Sequence, residues 1–179
     1  MAASKILIAG FGGQGIMLMG ELLAQAAMLE GKEVTWIPYY GPEMRGGTAN
    51  GTAVISDKPV ASPIVTTWDI VIAMNEPSLL KFESQIAKGG MLFINCSLIK
   101  SAPKRGDLMV HNVACNQIAS EIHSDKIANM VMLGAFLSIA GVVSPDSVKA
   151  AMEEKFKGAK SKLIPVNKQA LHAFMNATE

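Results

Sequence analysis

Residues 5–31 constrain the fold more tightly than any other stretch of the chain. Lys5-Ile6-Leu7-Ile8-Ala9 is a short apolar run that ends on a glycine, as a strand buried in a parallel sheet does. Gly10-Phe11-Gly12-Gly13-Gln14-Gly15 follows. Then comes Ile16 to Glu30, rich in Met, Leu and Ala, free of proline and closed by Gly31. That pattern is a helix with a glycine at its C-terminal end. Val34-Thr35-Trp36-Ile37 reads as the next strand. Strand, glycine turn, helix and strand make a βαβ unit, which commits the chain to an α/β fold with a mostly parallel sheet.

Downstream, strands are expected at Thr52 to Ser56, Asp69 to Ala73, Met91 to Asn95 and Leu108 to Val113. Asp57-Lys58-Pro59 reads as a turn. A helix starts at Met74-Asn75-Glu76-Pro77, is expected to reach about Lys88, and is broken by Gly89-Gly90. Residues 116–123 suit a short helix. The C-terminal third is helical: Lys126 to Gly141, a helix capped by Ser144-Pro145-Asp146, and a last one from Leu163, for which packing elsewhere than on this core stays open. Alternating strands and helices imply helices on both faces of the sheet. At 179 residues, one domain over residues 1–179 accounts for the length.

Composition narrows the function. Half the residues are hydrophobic, 17% are charged, and the mean hydropathy is +0.29. Either the core is large or apolar surface meets a partner. The net charge is +1 with scattered Lys and Arg, which is no footprint for nucleic acid. Ile127 to Val143 carries no charge over 17 residues, short of the ~20 that a spanning helix needs. It reads as a buried helix, so no membrane span is expected. Cys96 and Cys115 lie 19 positions apart and form no CxxC pair, so they cannot supply a four-thiolate cluster or zinc site. Without a signal-peptide pattern, the chain is expected in the cytoplasm with reduced thiols.

The GxGxxG turn sits where that motif has meaning, between a strand and a helix. Helix N–H groups and their partial positive charge would suit a phosphate there. The dinucleotide fingerprint also requires a carboxylate at the end of the second strand. That strand ends Ile37-Pro38-Tyr39-Tyr40-Gly41, and Glu43 lies beyond a Gly-Pro turn. An autonomous NAD(P)-dependent oxidoreductase is therefore disfavoured. The turn either packs the first helix on the sheet or touches a phosphate or a partner; both roles stay open.

Tyr40-Gly41-Pro42-Glu43-Met44-Arg45-Gly46-Gly47 follows a strand's C-terminal end, where open α/β sheets place ligands. Arg45 could fork onto a carboxylate or phosphate, and a solvated loop is the alternative. The glycine turn and this loop, about 25 residues apart, together resemble the gamma subunit of the pyruvate and 2-oxoacid:ferredoxin oxidoreductases. Val54-Ile55-Ser56 and Asn129-Met130-Val131-Met132-Leu133-Gly134-Ala135 extend the resemblance along nearly the whole chain.

The resemblance implies a Rossmann- or flavodoxin-like sheet beside alpha, beta and delta subunits. Those partners would carry thiamine diphosphate, magnesium and iron–sulfur clusters, pass electrons to ferredoxin, and transfer an acyl group to coenzyme A. It implies no catalytic residue, no metal and no cofactor in this chain. The candidates for contact with coenzyme A or a partner are Gly12, Gly13, Gln14, Gly15, Tyr40, Gly41, Pro42, Glu43, Met44, Arg45, Gly46, Gly47 and Asn75. For Asn75, capping of the following helix is the competing reading. A purely structural scaffold remains the other reading of the chain. His111, His123 and His172 fall in different elements and suggest no metal triad, and Ser97 and Ser101 lack a nucleophile-elbow context. The methionines at 17, 19, 28, 130 and 132 are expected in the core.

Overall fold

The computed structural model describes residues 3–40, 47–60 and 64–177. The first unit is β1 (Ser4–Phe11), α1 (Ile16–Leu29) and β2 (Glu33–Tyr40). It is followed by β3 (Thr48–Ser56), β4 (Trp68–Ala73), α2 (Glu76–Phe82), β5 (Ile86–Asn95) and β6 (Met109–Val113). Helices α3 (Cys115–Glu121), α4 (Ala128–Ala140), α5 (Pro145–Lys155) and α6 (Ile164–Ala177) complete the order.

The strands form one sheet in the order β2-β3-β1-β4-β5-β6. β1, β4, β5 and β6 are mutually parallel. β3 is antiparallel to both β1 and β2, so β2 runs in the direction of β1 but is separated from it by β3. The βαβ unit is thus split, and five strands run one way against one. β2 is an edge strand, which is why it tolerates Pro38 opposite Gly51.

Alternation along β1 divides the core. Ile6 and Ile8 point to one face, where α1, α3, α4, α5 and α6 contribute the larger apolar cluster. Leu7 and Ala9 point to the other, where Leu79 and Phe82 of α2 join Trp68, Leu92, Ile94 and Ile99. Both faces are covered, unequally: most of the helical mass lies on one. There α6 packs on α4 so closely that a Cβ on Gly134 would fall 2.0 Å from the Leu171 carbonyl oxygen. The last helix therefore has its partner within the chain.

Two expectations change. The helix after β4 ends at Phe82, and Glu83–Gln85 is a single 3-10 turn. β5 then begins at Ile86 and carries Gly89 (φ +71) and Gly90 within it. The register jumps from Trp68↔Ile86 to Ile70↔Met91, so the glycines form a bulge in a strand instead of breaking a helix. Met19, Met130 and Met132 are buried as expected, but Met28 is 66% exposed. α4, the charge-free segment, is 13 residues long and buried over most of its length. Among the described residues, no helix is long and apolar enough to cross a membrane.

Candidate functional site

β1 stops at Phe11, and the glycine turn carries the chain into α1 at the C-terminal edge of the sheet. Because β3 is antiparallel, it starts at that same edge: Phe11 pairs with Thr48, and Ala49 with Tyr40. Gly12 N–H donates to the Gly47 carbonyl at 2.9 Å, which ties the turn to the base of the 40–47 loop. Gly41, Pro42, Glu43, Met44, Arg45 and Gly46 lie outside the described residues. A cleft of 350 Å³ separates the turn from the β2–β3 end; Phe11, Gly12, Ile16, Met17, Tyr40 and Thr48 line it. Tyr39 and Tyr40 are 50% and 70% exposed and occupy the strand end where a ribose-binding carboxylate would stand.

The turn is filled from inside. Gln14 Oε1 accepts from Phe11 N–H at 2.7 Å, and Gln14 Nε2 donates to the Met74 carbonyl at 3.1 Å. Asn75 Nδ2 approaches the same Oε1 at 3.5 Å. The glutamine thus spans the gap between the ends of β1 and β4. That gap is the sheet's switch point, since α1 leaves β1 for one face and α2 leaves β4 for the other. A Cβ on Gly10 would stand 2.6 Å from Gln14 Oε1, so in this chain the first glycine makes room for the glutamine.

Gly15, at φ +75, caps α1 without a side-chain hydrogen bond. Asn129 packs where its Cβ would be, 2.2 Å away, and donates from Nδ2 to the Gly15 carbonyl at 3.3 Å. Asn75 is 4% exposed and caps α2, its Oδ1 accepting from Ser78 N–H at 2.9 Å.

On the opposite flank of the turn lies a second cleft, of 340 Å³, lined by Gly13, Gln14, Met74, Asn116, Lys126 and Asn129. Asn116 and Lys126 belong to no motif, and only the folded chain brings them to the glycine turn from the other side of β4.

Elsewhere, polar chemistry is sparse. Burial pushes the Cys115 thiol up, and the neighbouring Cys96 adds to this, leaving an unreactive thiol. His111 stacks on Phe93 with ring centroids 4.8 Å apart, and burial lowers its pKa. Among the described residues, no three His, Cys, Asp or Glu side chains converge as metal ligands. With two cysteines, one of them fully buried, the chain does not fit an iron–sulfur cluster.

Residues 5–177 match the family of pyruvate ferredoxin/flavodoxin oxidoreductases. The chain belongs to that family. Among its relatives in the family, the ketoisovalerate oxidoreductase subunit VorA of Methanothermobacter marburgensis is 39% identical over 94% of this chain. The match takes in 35% of VorA, so this chain spans about a third of the length of that relative. A solved keto/oxoacid ferredoxin oxidoreductase gamma subunit from Geobacter sulfurreducens superposes with a TM-score of 0.81 and 27% identity, covering 98% of both chains. The 2-oxoglutarate:ferredoxin oxidoreductase of Magnetococcus marinus, solved with 2-oxoglutarate, coenzyme A and succinyl-CoA bound, gives a TM-score of 0.85 and 25% identity. Its match covers 98% of this chain and 30% of that one.

Proposed function

We propose that this chain, as one gamma-type domain, is the gamma part of a cytoplasmic 2-oxoacid:ferredoxin oxidoreductase. Companion alpha, beta and delta subunits would hold thiamine diphosphate, magnesium and the iron–sulfur clusters. The assembly would decarboxylate a 2-oxoacid oxidatively, reduce ferredoxin and form an acyl-coenzyme A. The observation that carries this reading is the end-to-end superposition on a gamma subunit of that enzyme class, 98% of each chain. The chemistry resides in cofactors, and the described residues include no cluster of three His, Cys, Asp or Glu side chains that would hold a metal. The isolated chain is expected to be inactive without its companion subunits.

Within the assembly, the edge formed by the glycine turn and the 40–47 loop would meet coenzyme A or a partner subunit. Gly12 and Gly47 are joined there at 2.9 Å, so the loop that carries Arg45 springs from the rim of the turn. An arginine guanidinium, with its planar fork of donors, suits a phosphate or a carboxylate. The self-contained bonding of Gln14 favours a second reading, in which the turn serves assembly only.

Arg45→Ala in the reconstituted complex separates the two. It is expected to raise the Michaelis constant for coenzyme A or to weaken assembly on gel filtration, with the free chain's stability changed by no more than about 0.5 kcal/mol. Unchanged kinetics and unchanged assembly would leave that loop a solvated connection.

A further inference from the structure

We propose that His111 makes the β6–α3 corner acid-sensitive: the neutral ring seats the edge strand on the core, and a proton taken up by the imidazole unseats it. The inference concerns this chain's own fold and does not depend on the proposed assembly.

β6 is the last strand of the sheet and is paired on one side only, with β5. A five-residue strand held by a single ladder depends on its inward side chains for the rest of its hold. His111 stands opposite Phe93 in the register. Its ring lies against the Phe93 ring with centroids 4.8 Å apart, and Phe93 meets Phe136 of α4 edge to face at 5.7 Å. The imidazole is thus the outer member of an aromatic row that anchors β6 to the helical side of the core. Only Ala114 separates β6 from α3, so a shift of the strand moves the helix with it. The start of α3 is in turn tied to the end of β5: Ser97 Oγ accepts from Asn116 N–H at 3.1 Å and from Gln117 N–H at 3.3 Å.

His111 Nε2 is the one buried side-chain nitrogen or oxygen without a hydrogen-bond partner among the described residues. Such atoms are rare in folded proteins. A neutral imidazole can keep its proton on Nδ1 and leave Nε2 a bare lone pair, whereas an imidazolium carries N–H on both nitrogens. Protonation therefore buries a charged donor that has no acceptor. Stacking on Phe93 favours a cation, but burial opposes it and prevails, holding the His111 pKa below its ordinary value of 6.5.

The packed elements offer an imidazolium little relief. α4 carries no titratable side chain. β5 carries Lys88, exposed and of the same sign. α3 carries Cys115, whose thiol burial keeps neutral, and Glu121, which accepts from Gln117 Nε2 at 3.2 Å. His123, Asp125 and Lys126 follow it in the chain. α6 carries Lys168, paired with Glu153, and His172, which interacts with Asp146. None of the described ones hydrogen-bonds to Nε2.

The sign follows from linkage. A histidine with a lowered folded pKa contributes its full stability above the ordinary value, and that contribution is lost as pH falls below it. The test is side-chain NMR titration of the full chain together with amide hydrogen exchange, corrected for the intrinsic rate. The titration is expected to place the His111 pKa below 6.5. Between about pH 7.5 and about pH 5.5, protection over residues 109–121 should fall by up to about tenfold through this group, because the last pH unit lies below its unfolded value. His111→Phe and His111→Leu should abolish that fall, since neither takes up a proton. A folded His111 pKa at or above 6.5 overturns the proposal, and needs no variant to fold. An equal loss of protection in the wild type and in either variant overturns it as well.

Discussion

Both ends of the Gln14 amide are used within the sheet's own edge, on Phe11 N–H and on the Met74 carbonyl. In a dinucleotide-binding turn, glycines let the backbone approach a pyrophosphate; here Gly10 admits a side chain instead. Gln14→Ala strips two buried-edge backbone groups of their partners, which should cost about 2–3 kcal/mol in urea unfolding. A neutral effect would mean that the amide is held for a ligand and contributes nothing to the fold. The glycine spacing and the Ser144 cap are legible in sequence because each acts on its neighbours: Ser144 Oγ accepts from Ser147 N–H at 3.1 Å. Asn116 and Lys126 are not legible. They reach the turn through the parallel register of β4, β5 and β6, a long-range property that no local motif encodes.

At the scale of elements, α1 and α5 are joined by a polar clamp. Ser144 N–H donates to Glu30 Oε1 at 2.6 Å, Lys32 Nζ pairs with Glu30 Oε2 at 2.9 Å, and Lys32 also donates to the Val142 carbonyl. Burial works to raise the Glu30 carboxyl, but hydrogen bonds from Ser144 N–H, Lys32 and the Ser147 and Ser144 hydroxyls outweigh it. They hold the carboxyl at about 2, against an ordinary value of 4.5. A lowered folded pKa stabilises the native state fully above the ordinary value, and this contribution is lost as pH falls through the folded one. The melting temperature of the wild type should therefore drop between about pH 4.5 and 2 by more than that of Glu30→Gln. At pH 7 the variant should be about 1–2 kcal/mol less stable, since the carboxylate is partly solvated. Parallel pH profiles for the two proteins would show that the clamp contributes nothing. Elements whose apolar period is unbroken, such as β1, β4 and α4, are readable from sequence. β5 is not, since Ile86-Ala87-Lys88 continues the preceding helix in pattern, and only pairing with Trp68 draws it into the sheet. The antiparallel course of β3 is equally hidden, because period-2 alternation carries no direction.

As a whole, the molecule distributes its helices unequally. Five pack on one face of the sheet and the short α2 on the other, where Tyr39, Thr52, Val65, Trp68, Lys81 and Phe82 line an open cleft of 430 Å³. Tyr39, Tyr40, Ile64 and Leu80 remain largely exposed, so the positive mean hydropathy reflects both a large core and apolar surface left outside it. That surface and the superposition on a gamma subunit give the chain the character of a component. Its family is legible from two glycine-rich motifs in order, whereas its substrate is not, because the side chains that would choose a 2-oxoacid belong to other subunits in the proposed assembly. The central claim is tested most directly by purifying the tagged chain anaerobically from its native host and assaying the stoichiometric product. The account predicts a complex with companion chains that contains thiamine diphosphate and iron–sulfur clusters, and that reduces ferredoxin with a 2-oxoacid and coenzyme A. A chain recovered alone, or a complex without that activity on any 2-oxoacid, would contradict it.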